Sequence, residues 1–133
     1  TSIYSLATEL LKGNRRQALL ILDDLIAQKI EPVVILAALS SNYIDFYRAK
    51  TAQGAGKSSQ QTADDFGYAK NRTFVVTKAM NLVSRLDTEH IRNCLDILFN
   101  ADLALKTSAI NYRTVLEETI VKLSPEKIRR SYY

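Results

Sequence analysis

Cysteine is almost missing from this chain: Cys94 is the only one in 133 residues. A single thiol closes no intramolecular disulfide, so the sequence reads as a protein of a reducing compartment. Tryptophan is absent, and only two prolines and four glycines occur. So few chain breakers argue against many short strands joined by turns and favour long helices. Long apolar runs are lacking too. The longest uncharged stretch, Pro32 to Ile44, has thirteen residues and includes Ser and Asn, too short and too polar to span a bilayer. No signal-peptide pattern opens the chain. A cytoplasmic protein without a membrane partner is expected.

Charge of either sign is also in short supply as a patch. The net charge of +4 is modest and its cations are scattered, which permits an anionic partner without demanding nucleic acid. What is present is ordinary for one globular domain with a real core: 47% apolar and 24% charged residues. A start at Thr1, without Met and directly in a helical pattern, reads as a piece of a longer protein.

Apolar residues recur at three and four positions almost throughout, which predicts an all-α fold, a compact bundle of about seven helices. Ile3, Leu6 and Leu10 share one side of a first helix over 2–12, with Gly13 as its left-handed exit. Asn14 is expected to cap a second, with Ala18, Leu22, Leu25 and Ile26 on its inner face. Pro32 opens a third, running to about Gln53, apolar on nearly all sides through Ala38 and expected at the centre of the bundle. Its Leu36, Leu39, Tyr43 and Phe46 keep the helical spacing. Ser58 or Ser59 caps a short helix that Gly67 closes. Asn71 is expected to start the next, with Phe74, Ala79, Leu82 and Leu86 on one face. Asp87 or Thr88 caps a long helix to about Thr107. Asn111 caps the last, whose inward side is Val115, Leu116, Thr119, Ile120 and Leu123. Residues 1–123 thus form the domain, and 124–133 a basic aromatic tail.

Asp102 and Lys106 lie four apart with the acid first, the favoured order for a helical ion pair, beside an apolar stripe of Leu98, Ala101 and Leu105. The whole wording from Leu98 to Thr107, followed by Leu116-Glu117 and an apolar helix end, resembles the C-terminal domain of the delta subunit of bacterial DNA polymerase III, a clamp-loader component. Gly13 before Arg15 to Leu25, and Glu31-Pro32 opening a helix that ends in Tyr47-Arg48-Ala49-Lys50, fit the same resemblance. It implies a non-catalytic collar domain that binds no cofactor. The domain would hold delta beside the delta-prime and tau or gamma subunits within the polymerase III holoenzyme. The sliding clamp would be met only through domains outside this sequence.

Other motifs weigh less. Gly54 to Ser58 ends like a phosphate-binding loop, yet Thr51 stands where the first Gly belongs and a helix precedes it where a strand should. Gln61 to Lys78 has the outline of a helix-turn-helix. Its Lys70, Arg72 and Lys78, with Arg129 and Arg130 of the tail, are the candidate DNA contacts of an alternative, direct DNA-binding reading. His90 and Cys94 have metal-ligand spacing but lack companions. Cys94 reads as a buried apolar residue and His90 as an exposed one. The acid pairs Asp23-Asp24, Asp64-Asp65 and Glu117-Glu118 point about 100° apart on helices and make no dyad. Tyr43, Tyr47 and Arg48 have the composition of an interface centre and are the candidate partner contacts.

Overall fold

A computed structural model describes residues 2–107 and 111–124. They form seven α-helices: α1 (Ile3–Leu11), α2 (Arg15–Ala27), α3 (Pro32–Gly54), α4 (Ser59–Asp65), α5 (Thr73–Val83), α6 (Thr88–Thr107) and α7 (Tyr112–Leu123), with a 3₁₀ turn at Lys70–Arg72. There is no strand among the described residues.

Capping chemistry sets most boundaries. The Ser2 hydroxyl accepts from the Ser5 amide at 3.1 Å. Ser58 and Gln61 form a reciprocal capping box at the start of α4. The Asn111 side chain accepts from the amides of Arg113 and Thr114. Gly13 and Gly67 take φ of +80° and +72°, the left-handed region that ends a helix and that side chains resist. Asn14 departs from expectation. It precedes α2 but makes no side-chain cap; its amide donates instead to Glu9 Oε1 at 2.9 Å.

The long α3 is the axis of the bundle, packed by α6, α5, α1, α4 and α7. Its Ile35, Leu36, Leu39, Tyr43, Phe46, Ala49 and Ala52 are buried. The inner face of α7 is Val115, Leu116, Thr119, Ile120 and Leu123, as its spacing predicts. In α5 one residue departs from the expected face. Val76, Ala79, Met80 and Val83 are buried, while Phe74 is 56% exposed and carries the Lys78 ammonium over its ring. The other three residues expected on the inner side keep to it, Ala79 buried and Leu82 and Leu86 partly buried against the core.

One long-range tie closes the bundle. Arg15 Nη2 donates to the carbonyls of Val121 and Ser124, both at 3.1 Å. Those oxygens belong to the last turn and cap of α7, where carbonyls have spare accepting capacity and a cation is favoured. Arg15→Ala is expected to destabilise the domain by about 2 kcal/mol, read as a lower urea midpoint. Arg15→Lys recovers part of the loss, because Lys keeps the charge without the planar fork.

Candidate partner interface

Two neighbouring helices carry exposed apolar side chains. On α3, Val33, Val34 and Ile44 are 49%, 50% and 42% exposed, and on α6, Phe99 and Leu103 are 64% and 44% exposed. The α3 residues Val33, Ala37, Ser41, Ile44 and Arg48 recur at four, four, three and four, hence on one face opposite the buried stripe.

The two sets are neighbours. The Arg92 guanidinium of α6 sits 6.0 Å from the Tyr47 ring centre on α3, and Cys94 lies near Tyr43, so the helices run antiparallel. Phe99 stands about two turns beyond Arg92, on its side of α6, and Ser40 about two turns before Tyr47. The exposed side of α6 therefore continues the exposed side of α3.

The basic end of this face is built from aromatics. The Arg48 guanidinium lies 4.9 Å from the Phe66 ring centre and 5.9 Å from that of Tyr68, and Nη1 donates to the Tyr68 hydroxyl at 3.5 Å. That hydroxyl in turn donates to Asp45. Burial, then the bond to Asp45, pushes the Tyr68 pKa up, against the opposing pull of Arg48. Arg92 pairs with Glu89 at 2.9 Å, and its pKa is raised first by the Tyr47 hydroxyl and then by nearby charge.

The expected interface residues separate. Tyr47 and Arg48 are half-buried at the edge of the exposed face. Tyr43 is corrected: it is 0% exposed, edge-on to Phe46 with ring centres 5.3 Å apart, and offers no surface to a partner. It lies in register with Leu36, Leu39 and Phe46, so the core claims it. Its hydroxyl is buried without a hydrogen-bond partner, and burial raises its pKa well above the usual tyrosine value.

Asp102 and Lys106 do meet, at 2.8 Å on the surface of α6, one turn from Leu103. Phe66, Phe99 and Leu103 went unmarked by spacing alone. For the α6 pair a signal existed: Phe99 falls one residue off the Leu98, Ala101, Leu105 stripe, so it must point elsewhere.

The candidate DNA contacts Lys70, Arg72 and Lys78 are all exposed. They do not form a helix-turn-helix: residues 66–72 separate α4 from α5, where that motif needs a turn of about three or four residues. Arg129 and Arg130, with the rest of 125–133, lie outside the described residues. The Gly54 to Ser58 segment is no phosphate loop, since Gly54 ends α3 and Lys57 is paired with Asp65. His90, expected outside, is half-buried with Nε2 3.7 Å from Cys94 Sγ. No group of three or more metal-ligating side chains occurs among the described residues, and no described helix is long and apolar enough to cross a membrane.

This is the architecture of an all-α domain of the clamp-loader delta kind. The DNA clamp loader delta protein of Bacillus subtilis superposes on it with a TM-score of 0.79 at 23% sequence identity, over 91% of this chain and 35% of that one. The present chain thus matches little more than a third of that protein. The family model for the DNA polymerase III delta subunit, C-terminal domain, matches residues 1–123, and the chain belongs to that family. Comparison with curated proteins gives no match.

Proposed function

We propose that this domain is the collar of a clamp-loader delta subunit, an assembly module that holds the subunit beside delta-prime and tau or gamma while the sliding clamp is loaded onto primed DNA. The observation that carries this reading is the apolar face shared by α3 and α6. Val33, Val34, Ile44, Phe99 and Leu103 are large apolar side chains exposed together on two neighbouring helices. Family membership over residues 1–123 supports it. The work is done by burying helix faces, with bond chemistry left to other parts of the polymerase III holoenzyme.

DNA is a secondary partner in this reading. Residues 54–86 hold five cations against two acids, and Phe74, Lys78, Asn81 and Arg85 fall on one exposed stripe with Arg72 at its head. Such a stripe suits phosphates through charge, with or without base contact.

The test is association of the delta subunit with purified delta-prime and tau or gamma, followed by surface plasmon resonance. Phe99→Asp and Ile44→Asp are each expected to weaken it by more than tenfold, since a charge would be forced into an apolar contact. Gln17→Asp, exposed on α2, serves as the control and leaves it unchanged. Unaltered affinity in both apolar variants overturns the assignment of this face. Binding of primed DNA, if carried by the α5 stripe, falls with salt and falls further in Lys78→Glu.

A further inference from the structure

Phe66 and Tyr68 flank a closed turn. Gly67 between them has a φ of +72°, its amide donates to the Asp64 carbonyl at 3.2 Å, and the Tyr68 amide donates to that of Ala63 at 2.8 Å. A helix end of this kind is fixed. Both rings meet the Arg48 guanidinium, at 4.9 and 5.9 Å from their centres. The charges of the group are matched inside it, since the Tyr68 hydroxyl donates to Asp45 and accepts from Arg48 Nη1 at 3.5 Å. What the group offers outward is therefore apolar. Phe66 is 45% exposed.

This platform stands at the start of α1. Tyr4, in the first turn of that helix, is close enough to Asp45 for the carboxylate to add to burial in raising its pKa. Ile3, Tyr4 and Tyr68 are partly buried against the core. Ser2 caps α1 through the Ser5 amide and is extended, with φ of −123° and ψ of 160°, so the direction from which the backbone enters the helix is set. A delta C-terminal domain is joined to the earlier part of its polypeptide at this first helix. In the Bacillus subtilis protein the matched part is 35% of the chain, and most of the polypeptide lies outside it.

Resting on the family reading above, we propose that the Phe66 platform docks the part of the same polypeptide that precedes this domain in the full-length subunit. An apolar side chain laid on the outer face of Phe66 holds the junction at one angle. Area argues for this occupant. One half-exposed phenylalanine with the edges of two tyrosines is a fraction of the about 800 Å² per partner that a free protein needs. A tethered segment needs far less, because its effective concentration is already about millimolar. The internal match of Asp45 with Arg48 leaves no charge for an ionic partner to neutralise, which favours an apolar one. Through this contact the collar would fix how the rest of the subunit hangs from it.

The test uses the full-length subunit, with circular dichroism showing that each variant keeps its helices. Limited proteolysis reads cleavage between this domain and the preceding part, and small-angle X-ray scattering reads the radius of gyration. Phe66→Asp is expected to speed cleavage at the junction about tenfold and to enlarge the radius. Phe66→Leu, which keeps an apolar surface, stays within about twofold of the wild type. Cleavage and radius both unchanged in Phe66→Asp overturn the docking. Weakened association with delta-prime or tau or gamma, with the junction unaltered, puts a neighbouring subunit on Phe66 and overturns the tethered occupant. A mass doubled by light scattering and halved again by Phe66→Asp does the same in favour of a second copy. A wild-type subunit that binds no partner subunit removes the assembly role, while the junction measurements still decide the docking.

Discussion

Phe46→Ala is expected to cost about 3–5 kcal/mol, a large share of the about 5–15 kcal/mol that is the whole stability of such a domain. Phe46 is 1% exposed on the axial helix, and its ring meets Tyr43 edge to face with a 73° interplanar angle. Removing it leaves a cavity where α3 packs against its neighbours, and α3 touches five other helices. No single neighbour can move in to fill the hole without leaving the rest. Tyr43→Phe provides the contrast. It deletes a hydroxyl that has no partner and keeps the ring, so stability is expected to hold or rise by up to about 1 kcal/mol. Urea unfolding followed by far-ultraviolet circular dichroism reads both. A Phe46→Ala loss below about 1 kcal/mol would mean that this core is loosely packed, and a comparable loss in Tyr43→Phe would mean that the hydroxyl is bonded in solution, through a buried water.

The same two residues show where spacing is informative. Along α3, Leu36, Leu39, Tyr43 and Phe46 share the buried side, and their three-four-three rhythm already separates Tyr43 from Tyr47. Reading Tyr43 as a partner contact put aromatic composition ahead of that rhythm. The first half of α3 is different. Val33, Val34, Ile35 and Leu36 are equally apolar in sequence, yet the first two are exposed and the next two buried. Periodicity cannot divide a run in which every position is apolar, and a helix that serves a core and a partner at once must look this way. In α7 the polar residues are frequent enough to mark the outside, so its inner face was legible residue by residue.

Contacts between distant segments left no trace in the spacing. Arg15 is one of two adjacent bases near the start of α2, and it caps α7. Phe66 follows a short helix just before its closing Gly67, and it carries Arg48. Each depends on how helices are set against one another, which local periodicity does not encode. The family resemblance was carried by a different kind of signal, the order and wording of segments such as Asp102 to Lys106. That signal identifies the relatives of a sequence without locating its contacts.

Native Cys94 is expected to resist alkylation by iodoacetamide at pH 8 and to react once the chain is unfolded in urea. The side chain is 1% exposed, and burial pushes its thiol up from the ordinary value of 9.0 to about 12. The thiolate is the nucleophile, so a rise of that size lowers its population about a thousandfold at a pH below both values, before access is considered. Desolvation is the cause of the rise, with His90 Nε2 3.7 Å from Sγ. The same shift fixes the sign of a pH effect on stability. Below about pH 9 the thiol is neutral in both folded and unfolded chains, and its contribution is fully present. Above that, the unfolded chain loses the proton first, so stability declines as pH rises toward about 12. Tyr43, raised in the same direction by burial, adds to that alkaline limb. Cys94→Ala removes the thiol's share and keeps the Tyr43 share, which lets urea midpoints taken from pH 8 to 11 separate the two. Rapid labelling of the folded protein would contradict this picture, because it requires α3 and α6 to part often enough to admit both water and reagent.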